Sequence, residues 1–190
     1  MTLSRKSRKL EHMKYALTTG QINKNGLEDI SFVHNSLPLL KTDDVSLSLE
    51  IGGLVLSSPI FINAMTGGGG KETFSVNQQL AIAARECGIA MSVGSQMATV
   101  RDSSQMDTYQ IVRRENPNGF IMANIGGEAS VDEAKKAVDM LQADALQVHL
   151  NVIQELVMPE GDRDFRNILI NIEEIAAAVP PPCSFKSSST

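Results

Sequence analysis

From about residue 58 onward, segments of strand type and helix type alternate, and this restricts the possible folds more than any other feature of the chain. Ser58-Pro-Ile-Phe-Ile-Asn-Ala64 is short, apolar and bounded by Pro and Gly, the pattern of a buried strand. A helix is predicted over Glu72–Glu86, where Val76, Leu80, Ala83 and Ala84 recur at helical spacing and Gly88 stands where a C-cap belongs. Ile89–Gly94 reads as the second strand and Ser104–Glu115 as the second helix, which Asn116-Pro-Asn-Gly119 stops. Gly119–Ile125 follows as a third strand. Ser130 then caps a helix over Val131–Leu141, and Glu133, three residues on, completes a capping box. Asp144–Leu150 is the fourth strand. Beyond a long polar loop through Met158-Pro-Glu-Gly-Asp-Arg163, a fourth helix covers 167–178.

Four successive β-then-α units demand a parallel sheet, because each right-handed helical crossover returns the chain to the same end of the sheet. On pattern alone two architectures stay open, a doubly wound open sheet and the first half of an eight-stranded βα barrel. In both, chemistry gathers at the C-terminal strand ends. Here those ends are polar: Asn63-Ala-Met-Thr-Gly67, Gly94-Ser-Gln96, Asn124-Ile-Gly-Gly127 and His149-Leu-Asn-Val-Ile-Gln-Glu155. After Val179 the repeat calls for another apolar strand, but the chain reads Pro180-Pro-Pro-Cys-Ser-Phe-Lys-Ser-Ser-Ser-Thr190, and prolines cannot donate to a ladder. Residues 1–57 are therefore expected to be an arm and lead-in, 58–179 the folded unit and 180–190 an off-pattern tail.

Composition removes several classes of function. With 190 residues, 42% of them apolar, the chain can bury a core without disulfides or a structural metal. Cys87 and Cys183 form no CxxC pair, which fits a reducing compartment, so a cytoplasmic location is expected. The longest apolar runs are far too short to cross a bilayer. Arg5, Lys6, Arg8, Lys9 and Lys14 are not followed by the apolar stretch of a secretory signal. A net charge of −5 argues against a general nucleic-acid binder.

Three clusters can carry chemistry. Gly67-Gly-Gly-Gly70 exposes backbone at a helix start, suited to a phosphate or a planar ring, or else serves as a flexible connector. His149, Asn151, Gln154 and Glu155 lie within seven positions beyond the fourth strand. Mg²⁺ shared with substrate phosphates needs few protein carboxylates, so this set suits a metal-diphosphate; each residue alone is an ordinary solvated loop residue. Arg8, Lys9 and His12 fall on one helical face and can bind an anion, or form a solvated basic arm. His34 reads as structural or exposed, and Cys87 as a small packed residue.

Taken together, Arg8-Lys-x-x-His12, Asp29-Ile-Ser-Phe-Val-His34, Ser58-Pro-Ile-Phe-Ile-Asn-Ala-Met-Thr-Gly-Gly-Gly-Gly70, Gly94-Ser-Gln-Met97, Asn116-Pro-Asn-Gly119 and His149-Leu-Asn-Val-Ile-Gln-Glu155 through Arg163 closely resemble the type 2 isopentenyl-diphosphate isomerases. These are flavin-dependent βα barrels of the isoprenoid pathway. The resemblance runs from the N-terminus to about Val179. It implies a (β/α)8 TIM-barrel type of which about the first four βα units are present, so the chain is expected to be truncated or frame-shifted, with its own activity an open question. It also implies interconversion of isopentenyl and dimethylallyl diphosphate with reduced FMN, Mg²⁺ and NADPH. A reduced flavin can supply and accept the protons that move a double bond while its electron-rich face steadies a developing cation.

By the same resemblance, Ala64, Met65, Thr66, Ser95 and Asn124 hold FMN, and Lys186 falls where the family has a flavin-contacting lysine. Arg8, Lys9, His12, His149 and Asn151 bind the substrate diphosphate, Glu155 binds Mg²⁺, and Gln154 is both substrate-binding and catalytic beside the hydrocarbon end. A small-molecule diphosphate is the expected partner, with neither nucleic acid nor membrane, and a homo-oligomer is expected. Two other readings stand beside this one. An FMN-dependent barrel oxidoreductase of the hydroxy-acid oxidase type is disfavoured by the Arg8-Lys9-His12 arm and the Gln154-Glu155 pair. The other is a non-catalytic fragment.

Overall fold

Gly52 and Gly53 adopt φ values of +57° and +80°, a pair of left-handed residues that glycine supplies without strain. They join β1 (Leu49–Ile51) to β2 (Leu54–Leu56) as an antiparallel hairpin inside the segment expected to be a lead-in. The computed structural model describes residues 11, 14, 15, 18, 19, 26–67, 69–159, 161 and 163–180, and the backbone of 183–187. The rest of the fold is a parallel sheet of β3 (Phe61–Ile62), β4 (Ala90–Ser92), β5 (Ile121–Gly126), β6 (Ala145–Leu150) and β7 (Cys183–Ser187), paired in chain order.

The connections carry α1 (Lys71–Cys87), α2 (Met97–Arg101), α3 (Asp107–Glu115), α4 (Val131–Leu141), α5 (Val152–Val157) and α6 (Ile168–Ala178). Strands that follow one another across a sheet, each joined by a right-handed crossover, place their helices on one face. The core confirms that placement. Ala81 and Ala84 of α1, Tyr109 and Val112 of α3, Ala134, Ala137 and Leu141 of α4 and Ile175 of α6 pack with Met91, Ile121, Ala123, Ile125, Leu146 and Val148 from the strands. Alternation along β4, β5 and β6 then turns Ser92, Asn124, Gln147 and His149 to the other face.

Helix α4 forms as its sequence requires. Ser130 Oγ accepts from the Glu133 amide at 3.3 Å, and Glu133 Oε2 accepts from the Ser130 amide at 3.0 Å. Burial pushes the Glu133 carboxyl up, but the Ser130 amide and Arg101, whose Nε donates at 2.9 Å, outweigh it and hold the group below its ordinary value. Among the described residues no helix is long and apolar enough to cross a membrane.

Four expectations change. The (β/α)8 TIM-barrel type with about its first four βα units present is not what the described residues form. Among the described residues the chain forms a two-stranded antiparallel sheet and an open parallel sheet of five strands, in which β3 pairs with β4 and β7 with β6, and nothing in that arrangement marks a truncated barrel. The region expected to be an off-pattern tail contains β7, whose backbone pairs with β6 from Leu146↔Cys183 to Leu150↔Ser187. The three prolines precede that strand rather than interrupt it. The helix expected over Ser104–Glu115 starts later, as α3 at Asp107, because Ser103–Gln105 form a 3₁₀ turn capped by Asp102, which accepts from the Ser104 amide; α2 is a separate helix that precedes the expected span. The strand expected over Ser58–Ala64 shortens to Phe61–Ile62: Pro59 offers no donor, and Ile60 and Phe61 stand exposed at the sheet edge.

Candidate active site

The polar row on the face opposite the core helices is bonded end to end. Ser92 Oγ donates to Gln147 Oε1 at 2.9 Å, and Asn124 Nδ2 donates to the same oxygen at 2.7 Å. Asn124 Oδ1 lies 2.9 Å from His149 Nδ1. Ser92, Asn124 and Gln147 are 3%, 2% and 4% exposed, so little water competes for these bonds and each unmade one would be costly. Gln96 ties the loop after β4 to β5, its amide donating to Asn124 O at 2.8 Å and its Oε1 accepting from Asn124 N at 2.9 Å. Tyr109 fixes Ser95 in turn by donating to its carbonyl at 2.7 Å.

Thr66 meets this rim through a close approach. A Cβ on Gly94 would lie 1.1 Å from Thr66 O, so only glycine lets these two loops touch. Thr66 Oγ1 donates to Asn77 Oδ1, and Asn77 Nδ2 donates to Thr108 O at 2.7 Å. Of the residues assigned to FMN from sequence, Thr66, Ser95 and Asn124 are thus linked at the C-terminal strand ends. Met65 is exposed and Ala64 half-buried beside them. The Lys186 backbone pairs with His149 in register.

The glycine loop is less open than its sequence suggests. Gly70, at φ +93°, donates its amide to Gln105 Oε1 at 2.7 Å, and a Cβ on Gly69 would strike the Gln105 side chain at 2.5 Å. The amide that an incoming phosphate would use at this helix start already has a partner.

A second cluster adjoins the row at β6. Asn151 is the N-cap of α5, accepting from Gln154 N at 3.0 Å, while its Nδ2 donates to Gln154 Oε1 at 2.7 Å. Arg163 folds the following loop back by donating to Glu155 O and, at 2.8 Å, to Met158 O, the last carbonyls of α5. His149, Asn151, Gln154 and Glu155 then line one cleft with Glu128, its apolar wall made by Phe165 and Ile168. The Glu128 carboxylate lies over Gly126, where a Cβ would come within 1.9 Å of it. The cleft has about 40 Å³ of free space, room for an ion with a few waters and not for a whole diphosphate ester.

Four expected site residues therefore converge here. Arg8, Lys9 and His12 lie outside the described residues. His34 and Cys87 are exposed, the latter contrary to its reading as packed. Sequence reasoning passed over Ser92, Gln147 and Glu128, and gave Gln96 no role beyond its place in a polar strand end. The signal for Gln147 was present, since a polar residue two positions before His149 in an otherwise apolar strand must share its face. Glu128 had no comparable signal, because a turn after β5 brings it to the cleft.

No family model matches the chain. It is 57% identical over 184 residues to a protein named isopentenyl-diphosphate delta-isomerase from Geobacillus sp. (strain WCH70), a match covering 97% of this chain and 53% of that one. Proteins of the same name from Bacillus cytotoxicus and Bacillus pumilus match over 184 residues at 55% and 54%, covering 97% of this chain and 53% and 52% of theirs. Among solved structures, a universal stress protein from Archaeoglobus fulgidus matches at a TM-score of 0.26 and 16% identity, covering 66% of this chain and 96% of its own, too slight a likeness to bear on fold or function. These findings correct the assignment to the type 2, FMN-dependent family. The relatives' names carry the isomerisation and specify no flavin, and the sheet is open, so the narrower assignment is not retained. The chain spans about half the length of the curated relatives it matches, and the likeness stops at the name isopentenyl-diphosphate delta-isomerase.

Proposed function

We propose that this chain serves the interconversion of isopentenyl and dimethylallyl diphosphate, with a divalent cation bridging protein and diphosphate. The observation that carries the reading is the 57% identity, over nearly the whole chain, to a protein named for that reaction. The cleft supports it. Glu128 and Glu155 line one cleft, and Mg²⁺ is an ion commonly held by one or two carboxylates and the substrate's own phosphates. Glu155 and Glu128 are those carboxylates in this reading, and the cation would neutralise phosphate charge.

The remaining roles follow from position. His149 and Asn151 hold the diphosphate side, with Arg8, Lys9 and His12 adding positive charge. Gln154, exposed on the first turn of α5, is the catalytic residue that meets the hydrocarbon end. Thr66, Ser95 and Asn124, with Ala64, Met65 and Lys186, hold whatever part of the bound assembly extends along the strand ends. Binding energy from the diphosphate places the reacting carbons, as remote contacts do in general.

The test is isomerisation by the 190-residue chain in two arms, Mg²⁺ alone and Mg²⁺ with reduced FMN. Turnover in either arm, with Glu155→Gln needing about tenfold or more Mg²⁺, supports the reading. Absence of turnover in both arms, or an unchanged Mg²⁺ requirement in the variant, overturns it.

A further inference from the structure

We propose that Gln147 is a positioning residue that decides which ring nitrogen of His149 carries the proton. The proposal deepens the function above and rests on it for its importance, not for its test. Gln147 Oε1 accepts from both Ser92 Oγ and Asn124 Nδ2. That draws the nitrogen of the Asn124 amide toward Gln147 and leaves its oxygen facing His149. Asn124 Oδ1 and His149 Nδ1 are 2.9 Å apart, and a carbonyl oxygen cannot donate. Nδ1 must therefore donate, so the neutral ring carries its single proton on Nδ1.

A neutral histidine in water favours the other tautomer, with the proton on Nε2. The tautomer in a protein is set by the bond that one nitrogen makes. Here that bond is the end of a relay running Ser92, Gln147, Asn124, His149 across three adjacent strands, with Ser92, Gln147 and Asn124 buried and His149 half-buried. The consequence reaches the cleft that His149 and Glu155 share. A ring protonated at Nδ1 has no proton on Nε2, so the contact of His149 with the diphosphate side runs through a donor such as cation-bound water between them. Ser92 and Gln147 contribute this orientation without lining the cleft themselves.

The experiment is a long-range ¹H–¹⁵N correlation spectrum of the full chain labelled at histidine, at a pH where the rings are neutral. The chain has three histidines, and His149→Gln identifies the signal of interest. The wild-type spectrum is expected to show the Nδ1–H pattern at His149. Gln147→Glu is expected to keep it, because a carboxylate only accepts and still draws the Asn124 amide nitrogen. Gln147→Met removes the acceptor, frees the Asn124 amide to turn, and is expected to move the ring mainly to Nε2–H. An Nε2–H pattern in the wild type or in Gln147→Glu overturns the proposal, as does an unchanged Nδ1–H pattern in Gln147→Met with a native amide fingerprint. Should Gln147→Met fail to fold, the wild type and Gln147→Glu decide alone. None of these readouts depends on turnover, so failure of the isomerase reading is distinguishable from failure of this one.

Discussion

Replacing Arg113 by Met should cost about 3 kcal/mol of stability while leaving the cleft intact. The guanidinium donates five hydrogen bonds: to Leu141 O and Gly119 O at 2.9 Å each, to Pro117 O at 3.3 Å, to Gln142 O at 2.6 Å and to Asp144 Oδ2 at 2.8 Å. Together they clamp the turns that enter β5 and β6, at the end of the sheet away from the candidate site. The bonds to Leu141 and Gly119 are partly buried, and a charged donor there contributes about 1.5 kcal/mol each. The other three lie at the surface, where water replaces the lost partner, and add little. Met keeps the stem's packing, so the difference reports the head group of a side chain that is 16% exposed. Lys reaches one carbonyl at a time and should recover about half of the loss. Urea unfolding followed by far-ultraviolet circular dichroism measures this, provided the m value is unchanged. A loss below about 1 kcal/mol, or a Lys variant as stable as the wild type, would refute the account of this clamp.

Two further variants test the loops and caps. Gly94→Ala should destabilise by about 3 kcal/mol or more, because its methyl group meets backbone rather than a movable side chain; an unchanged thermal midpoint would contradict the close approach to Thr66. Ser130→Ala should cost about 1 kcal/mol through loss of the cap on α4. Glu133 adds a pH dependence to that cap. Its carboxyl is held below its ordinary value in the folded chain, so its contribution is present above the unfolded pKa and disappears as pH falls through the lower folded one. Glu133→Gln should flatten the acid limb of the stability curve below about pH 4.3, and an acid limb identical to wild type would count against it.

What could be read from residues in order was what local physics decides. The α4 cap, the Gly88 stop of α1 and the polar C-terminal ends of β4, β5 and β6 depend on neighbours a few positions apart. Closure of the sheet does not. Repeated βα units are compatible with an open sheet and with a barrel, and only the pairing of the first and last strands distinguishes them. Strand β7 was hidden for a related reason: Cys183–Ser187 gains its order from a partner more than thirty positions away, while the adjacent prolines signal a break. The hairpin at Leu49–Leu56 has a local signal in Gly52-Gly53 between Leu49-Glu-Ile51 and the apolar triplet Leu54-Val-Leu56, which the βα repeat overshadows.

The site divides the same way. His149, Asn151, Gln154 and Glu155 stood out because one strand end and one helical turn hold them all. Ser92, Asn124 and Gln147 form a row only when three strands lie side by side, and Glu128 joins the cleft only through the turn at Gly126 and Gly127. The reach of Gln105 into the glycine loop was equally invisible, because it comes from a separate turn 35 residues on.

The most direct test of the central claim is incubation of the 190-residue chain with isopentenyl diphosphate and Mg²⁺ in deuterated water, with and without reduced FMN, followed by proton NMR of the recovered allylic diphosphate. The account predicts dimethylallyl diphosphate carrying deuterium, formed by the wild type and suppressed in Glu155→Gln. Recovery of unlabelled, unconverted substrate from a folded chain in both arms would contradict it.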